Sequence, residues 1–417
     1  MIQIRLILIF SFISSFLFAQ PEHETNPPFN IKTISFIQNN QNVMPIFKLG
    51  EQFQFVFDDL YGDEANYYYT ITHCDYDWTK SNLNSNEYLV GLDNQRIITY
   101  DNSFNTLQMY SRYRIVFPNS ITRAFKVSGN YIINILNNNQ EVVFSRKFIL
   151  YEELVNVPML VKNPRDVRDL YSKHNLEFYV KPANIALQNP IQNVKIVLLK
   201  NNIWHTAITN IKPMYTLGTD LYYKYDKETQ FWAGNEFLYF ENKDIRNAAN
   251  NVRRITLTGI YNTFLQTNFP RSTLKYTYAP DANGIFVIQN IDARDDVNVE
   301  SDYSWVFFSL SAPTFYEKKD IYVTGMFNNY ALTSENKMDY NKDKGVYEKA
   351  IIIKQGFTNY EYTVADSNGK VDYEKAIDGN FIQTENNYTC LVYYRGNNDR
   401  YDRIIGRGMT NSIYMTK

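Results

Sequence analysis

Three side chains that perform thiol-protease chemistry in other settings stand in a row in this sequence: His73, Cys74 and Asp75. A thiol becomes a nucleophile only when a base such as imidazole can reach it and take its proton. Residues 67–73 read as a strand, and successive strand side chains point to opposite faces, so Cys74 is turned away from both neighbours. His73, Asp75 and Asp77 share a face if the strand persists, and a metal could bridge them. Same-face positions, however, step by about 7 Å along a strand, whereas metal ligands converge on one point. The expectation is therefore a hydrogen-bonded strand end and no metal.

A second acidic group, Asp295, Asp296, Glu300 and Asp302, lacks the central glycine and ligand spacing of a calcium loop. It is expected to be a solvated connector. The four histidines, His23, His73, His174 and His205, occur in no HExxH, GxSxG or CxxC context, and no glycine-rich phosphate loop is present. With acid, base and nucleophile all unplaceable, neither an enzyme active site nor a cofactor is expected.

The elements that would position these residues are strands. In Gln52-Phe53-Gln54-Phe55-Val56-Phe57 the three phenylalanines alternate and fall on one buried face. Further strands are expected at 67–73, 112–117, 129–136 and 141–150. The last two form a hairpin through Asn137-Asn138-Asn139, since asparagine tolerates the positive φ of the turn. Closely spaced strands without long amphipathic helices predict an immunoglobulin-like β-sandwich over residues 28–152. A second sandwich is expected over 153–295, after the breaks at Pro158 and Asn163-Pro164. Within it, residues 204–208 read as a strand, and Ile245, Ala248, Ala249 and Val252 recur at helical spacing, which fits either a short helical turn or an irregular crossover. A third sandwich is expected over 296–417, its tail closing the sheet as an edge strand.

Composition narrows the function classes. With 42 basic and 44 acidic side chains the formal charge is -2, so no field draws in a phosphate backbone, and nucleic acid is excluded as a partner. Residues 1–19 read as a secretory signal peptide: Arg5, an apolar run over 6–13 too short to span a bilayer, and cleavage after Ala19. No transmembrane segment follows. Export would permit a Cys74–Cys390 disulfide if the first and last domains met, but two separate, half-buried thiols are the expected state. The 35 Tyr and 28 Phe suit half-buried sheet faces and protein contact alike.

Two resemblances add to this reading. Gly325-Met326-Phe327-Asn328-Asn329-Tyr330 is similar to the strand-and-turn signature of early-set sandwich domains, some of which bind glycans. Phe327 and Tyr330 are read first as core and turn residues of that fold and, in the alternative, as glycan contacts of an envelope protein. The run from Tyr68 to Ser81, containing His73, Cys74, Asp75, Asp77 and Trp78 and closing with Glu87, Tyr88 and Gly91, resembles the first domain of the type IX secretion system plug protein family. The likeness continues at Gly234, Asn235 and Glu236 and at Trp305. This resemblance implies a periplasmic protein on the inner face of the outer membrane that docks against the translocon barrel and seals it when idle. The motif residues are then fold-defining: Trp78 and Tyr88 pack a corner, and Asp75 and Asp77 bond loop amides.

Overall fold

The computed structural model describes residues 23–312 and 319–415; the expected signal peptide lies outside them. The fold is all-β: among the described residues there are seven sheets and only one-turn helices. In the first sandwich, one sheet runs Gln41–Val43, Ile31–Gln38, Phe53–Asp59, Ser111–Phe117, Tyr100–Asn102. The other runs Ile46–Lys48, Val142–Tyr151, Gly129–Leu136, Tyr68–Cys74, Gln95–Arg96. Phe53, Phe55 and Phe57 lie in the core between them, with Phe47 stacked on Phe53 at 4.2 Å between ring centroids. At the 137–141 turn the left-handed residue is Gln140, not an asparagine; Asn137 instead accepts the Asn139 and Glu141 amides through Oδ1.

The remaining strands do not pair in chain order. Lys173–Pro182 heads one sheet of the second sandwich, with Val155–Asn156, Met159–Lys162, Asp220–Tyr223 and Gln230–Trp232 against it. The facing sheet is Ile208–Thr209, Val194–Lys200, Asn387–Tyr394, Arg403–Asn411. The last two strands come from the chain's far end, so the tail closes the second sandwich rather than the third, in contrast to a self-contained block over 296–417. The reason is apolar: Asn387–Tyr394 is almost wholly buried, and Val392, Cys390 and Tyr388 fill the core beside Ile196 and Leu198. The third sandwich is thereby an insertion. Its sheets are Val252–Thr258, Ile260–Leu265, Tyr303–Leu310, Val346–Lys354, Asp339–Asn341, and a group around Gly356–Ala365.

Local expectations also shift. Residues 204–206 form a 3-10 turn instead of a strand, because the Thr206 hydroxyl donates to the Ile203 carbonyl and accepts the Lys200 amide. Residues 243–251 form turns and bends, the crossover alternative. Most consequential, both outer faces of the first sandwich are covered, one by the second sandwich and one by the third. Alternation in Phe53–Asp59 therefore separates two buried faces, not a buried from a wet one: Val56 and Asp58 are as inaccessible as the phenylalanines.

Candidate functional site: the motif corner and the two seams

The strand Tyr68–Cys74 carries His73 into the first core and Cys74 out through the opposite face. His73 Nε2 lies 3.3 Å from the Ser128 carbonyl, which can only accept, so Nε2 holds the proton and Nδ1 accepts from the Ser81 hydroxyl at 2.8 Å. Rings of Tyr88, Tyr131 and Tyr401 surround the imidazole. Burial pushes its pKa down to about 4. Gly129 belongs to this packing, since a Cβ there would sit 2.3 Å from His73 Nε2. Tyr88 donates its hydroxyl to the Ile71 carbonyl at 2.9 Å, and Glu87 accepts the Asn84 amide in a capping box. At Gly91, φ is +119° and a Cβ would lie 1.8 Å from the Ile121 carbonyl oxygen, so only glycine fits.

Cys74 opens the seam to the second sandwich. Cys74, Trp78, Ile132 and Ile149 meet Val197, Leu391, Tyr393 and Ile404 in one buried apolar cluster. Trp78, held at φ +65°, stands edge-to-face with Trp204, 5.0 Å between centroids, and Lys147 Nζ lies 4.4 Å over its ring. Such an aromatic pair contributes about 0.5–1.5 kcal/mol beyond the area it buries. Polar groups seal the rim. Asp75 Oδ1 accepts the Asp402 amide at 2.9 Å, Asp402 Oδ2 accepts the Tyr76 amide at 3.0 Å, and Arg395 pairs with both carboxylates. Arg403 pairs with Glu152 at 2.8 Å. Asp77 is exposed and accepts its own turn's Thr79 amide. His73, Asp75 and Asp77 thus face three different sets of partners, and their side chains do not converge. The two cysteines are not bridged: both are wholly buried, Cys74 in this seam and Cys390 in the second core.

The second motif, Gly234-Asn235-Glu236, is the stem where the chain leaves for the inserted third sandwich. Gly234, at φ +72°, donates its amide to Asn380 and accepts from Phe381 N and Thr384 Oγ1 on the returning segment. Asn235 Nδ2 donates to the Asp378 carbonyl. The buried Glu236 carboxylate accepts from Tyr276 and from the Glu385 amide, and desolvation holds its pKa above the usual range. Exit and return are therefore tied to each other.

The seam between first and third sandwiches is built on charge, and its principal residues carried no weight in the sequence. Asp58 is fully buried; Oδ1 accepts from Arg112 at 2.8 Å, and Oδ2 accepts from Lys354 Nζ at 2.5 Å and the Tyr303 hydroxyl at 2.7 Å. Lys354 also donates to the Asn298 carbonyl and lies 3.9 Å over the Tyr110 ring. Burial, opposed by Asp58 and assisted by Arg112, pushes Lys354 down to about 7. Tyr303 meets the Thr33 hydroxyl. The acidic stretch is correspondingly not a solvated connector. Asp302 is buried and accepts the Leu107 and Gln108 amides of the first sandwich, while Glu300 accepts the amides of Arg294, Asp295 and Asp296. Trp305 flanks this seam, half-buried and stacked on Phe29 at 6.1 Å. A signal did exist: Asp58 directly follows the apolar run Phe55-Val56-Phe57 and Lys354 the run Ile351-Ile352-Ile353, where a charge needs a partner.

Tyr330 is buried, donates its hydroxyl to the Gly284 carbonyl, and packs with Phe237; Phe327 is half-buried against the same cluster. Tyr330 therefore presents no free ring face on which a sugar could stack, as the core-and-turn reading expects of it.

The family description "Type 9 secretion system plug protein 1st domain" matches residues 31–152, which is the first sandwich with its His73–Gly91 corner. The chain belongs to the type IX secretion system plug protein family. A crystal structure of a hypothetical protein from Parabacteroides merdae ATCC 43184 is 31% identical, covering 94% of this plug-family chain and 100% of its own, with a TM-score of 0.88. The BSP domain of a biofilm-associated protein aligns at 7% identity over 94% of this chain and 61% of its own, but its TM-score of 0.16 is no likeness of fold. No curated protein matches significantly. As a plug-family member the chain is a component related to the secretion machinery of the cell envelope, and among the described residues no helix is long and apolar enough to cross a membrane.

Proposed function

We propose that this protein is a periplasmic gating subunit that binds the inner opening of the outer-membrane type IX translocon and closes it while no cargo occupies it, without catalysing a reaction. What carries the reading is the family match over the first sandwich, in a chain whose three sandwiches are fastened pairwise. A stopper must resist deformation by whatever presses on the pore. Each of these sandwiches touches both others, so a hinge at one seam would have to open a second as well. The family-motif residues His73, Cys74, Asp75, Trp78, Glu87, Tyr88, Gly91, Gly234, Asn235, Glu236 and Trp305 serve, in this reading, to hold that block together, and Asp77 shapes its turn; the docking contacts lie elsewhere on its surface.

The test is affinity purification of the tagged full-length chain from detergent-solubilised envelopes of its own cells at low salt. Co-recovery of a large outer-membrane barrel, and leakage of a small periplasmic marker when the chain is deleted, are the expected results. A chain recovered alone, together with an envelope that stays tight after deletion, would refute the reading.

A further inference from the structure

The exposed face of the largest sheet in the third sandwich carries an aromatic row ending in an arginine. Register places Arg254, Phe264, Phe307 and Ala350 in one row across four strands. Phe264 and Phe307 stack at 4.4 Å, 12° from parallel, and the Arg254 guanidinium lies 4.3 Å over Phe264. Both rings stay partly open to solvent, and Ala350 leaves a low floor at the end of the row. The result is an open concavity of about 910 Å³.

A β-bulge adds the second cation. Val252 pairs with Leu265 and Arg254 with Phe264, so Arg253 is the extra residue between them. The two arginines are adjacent, exposed, and without a carboxylate within ion-pair distance among the described residues. Of the acids lining the concavity, Glu348 pairs with Lys344 at 2.8 Å, while Asp339 is largely exposed, 4.0 Å from Lys349. Two unmatched guanidinium groups beside a half-open aromatic floor form a surface complementary to a partner that carries both carboxylates and an apolar side chain.

We infer that this face is the docking surface for an acidic segment of the translocon, whose carboxylates pair with Arg253 and Arg254 and whose apolar side chain enters the depression over Phe307 and Ala350. This rests on the plug reading above and adds to it the face and the chemistry of the partner. The composition fits, since interfaces concentrate aromatic and arginine side chains. Nucleic acid does not fit, because the chain's charge of -2 supplies no attracting field.

The experiment compares the full-length chain with three variants in the same envelope purification: Arg253→Glu with Arg254→Glu, Ala350→Trp, and a control of equal charge change on the second sandwich, Arg165→Glu with Lys227→Glu. Recovered barrel per plug should fall about tenfold or more in the first two, equivalent to losing one good contact of roughly 1.4 kcal/mol, and hold in the control. All chains should keep the parent melting temperature; the arginine pair, wholly on the surface, decides the matter if Ala350→Trp does not fold. Undiminished recovery in the arginine variant refutes this face and leaves the plug reading standing. No barrel with the parent chain refutes both. Equal loss in the control means diffuse charge and overturns the inference, as would an arginine variant that changes only self-association or retention on a phosphorylated glycan.

Discussion

Toward the second sandwich, the first presents Cys74, Trp78, Ile132 and Ile149, with ion pairs confined to the rim. Toward the third it presents Asp58, which meets Arg112, Lys354 and Tyr303 in a place water does not reach. The two seams join the same slab to similar neighbours by opposite means. An apolar seam gains from every matched area and loses gradually as volume is removed. A buried ionic seam gains little overall, because desolvation consumes most of the attraction, yet collapses when one charge is taken away. The contrast teaches that strength and selectivity are divided: the first seam supplies adhesion, and the second admits only one arrangement of neighbours.

The largest effect should therefore come from Asp58→Ala, which leaves Lys354 and Arg112 buried together. A loss of about 3–5 kcal/mol in denaturant unfolding is expected. Adding Lys354→Met to Asp58→Ala should return part of it, since the second change removes an orphan charge. A single variant within about 1 kcal/mol of the parent would mean that the charges are hydrated, and the contrast between seams would disappear.

Next comes Trp78→Ala, with an expected cost of about 3 kcal/mol, the low end for a large ring because Trp78 lies at the seam's edge. That cost should be unaffected by salt. Trp78→Gly sharpens the test. At φ +65° a side chain adds about 1 kcal/mol of backbone strain, so glycine should be less damaging than alanine despite removing one more carbon.

Acid should act on the cores instead of on either seam. His73 and His174 are buried neutral, and desolvation pushes each to about 4. The unfolded chain, titrating near 6.5, binds more protons between those values, so stability is full above about 6.5 and falls as pH drops toward 4. Each histidine contributes at most about 3 kcal/mol of that fall. His205 is pushed down in the same way, so His174→Gln should reduce the slope in a pH series of melting temperatures by roughly a third, and an unchanged slope would locate the acid sensitivity elsewhere. The smallest effect belongs to the exposed pair Lys48–Glu153, 2.5 Å apart across the linker: Glu153→Gln should leave the melting temperature where it is.

Much of the fold could be read from local patterns. Phe53, Phe55 and Phe57 announce a strand because period two is what a pleated backbone imposes, and their burial follows from it. The Cys74 side chain faces away from His73 for the same reason, so the row of three residue types is not a catalytic triad. The corner at Glu87, Tyr88 and Gly91 was recognisable as a unit, although its reasons, a capping box, a hydroxyl on the Ile71 carbonyl and a carbonyl 1.8 Å from an absent Cβ, belong to three dimensions.

Residues distant in sequence were another matter. Nothing in Asp58 names Lys354 as its partner, and nothing in the closing strands Asn387–Tyr394 and Arg403–Asn411 points to Val194–Lys200 across the whole third sandwich. The acidic run at 292–302 looks solvated in one dimension because charge prefers water; in the fold, the Leu107 and Gln108 amides offer Asp302 a substitute for it. The amino-acid sequence by itself determined most of the strands, since side-chain alternation and short spacing set them, and the motif over 68–91 carried the likeness to the family. Only the tertiary structure decided which sheets meet, which sandwich the tail completes and where charge is buried, because those depend on contacts between residues that the chain brings together only when it closes on itself.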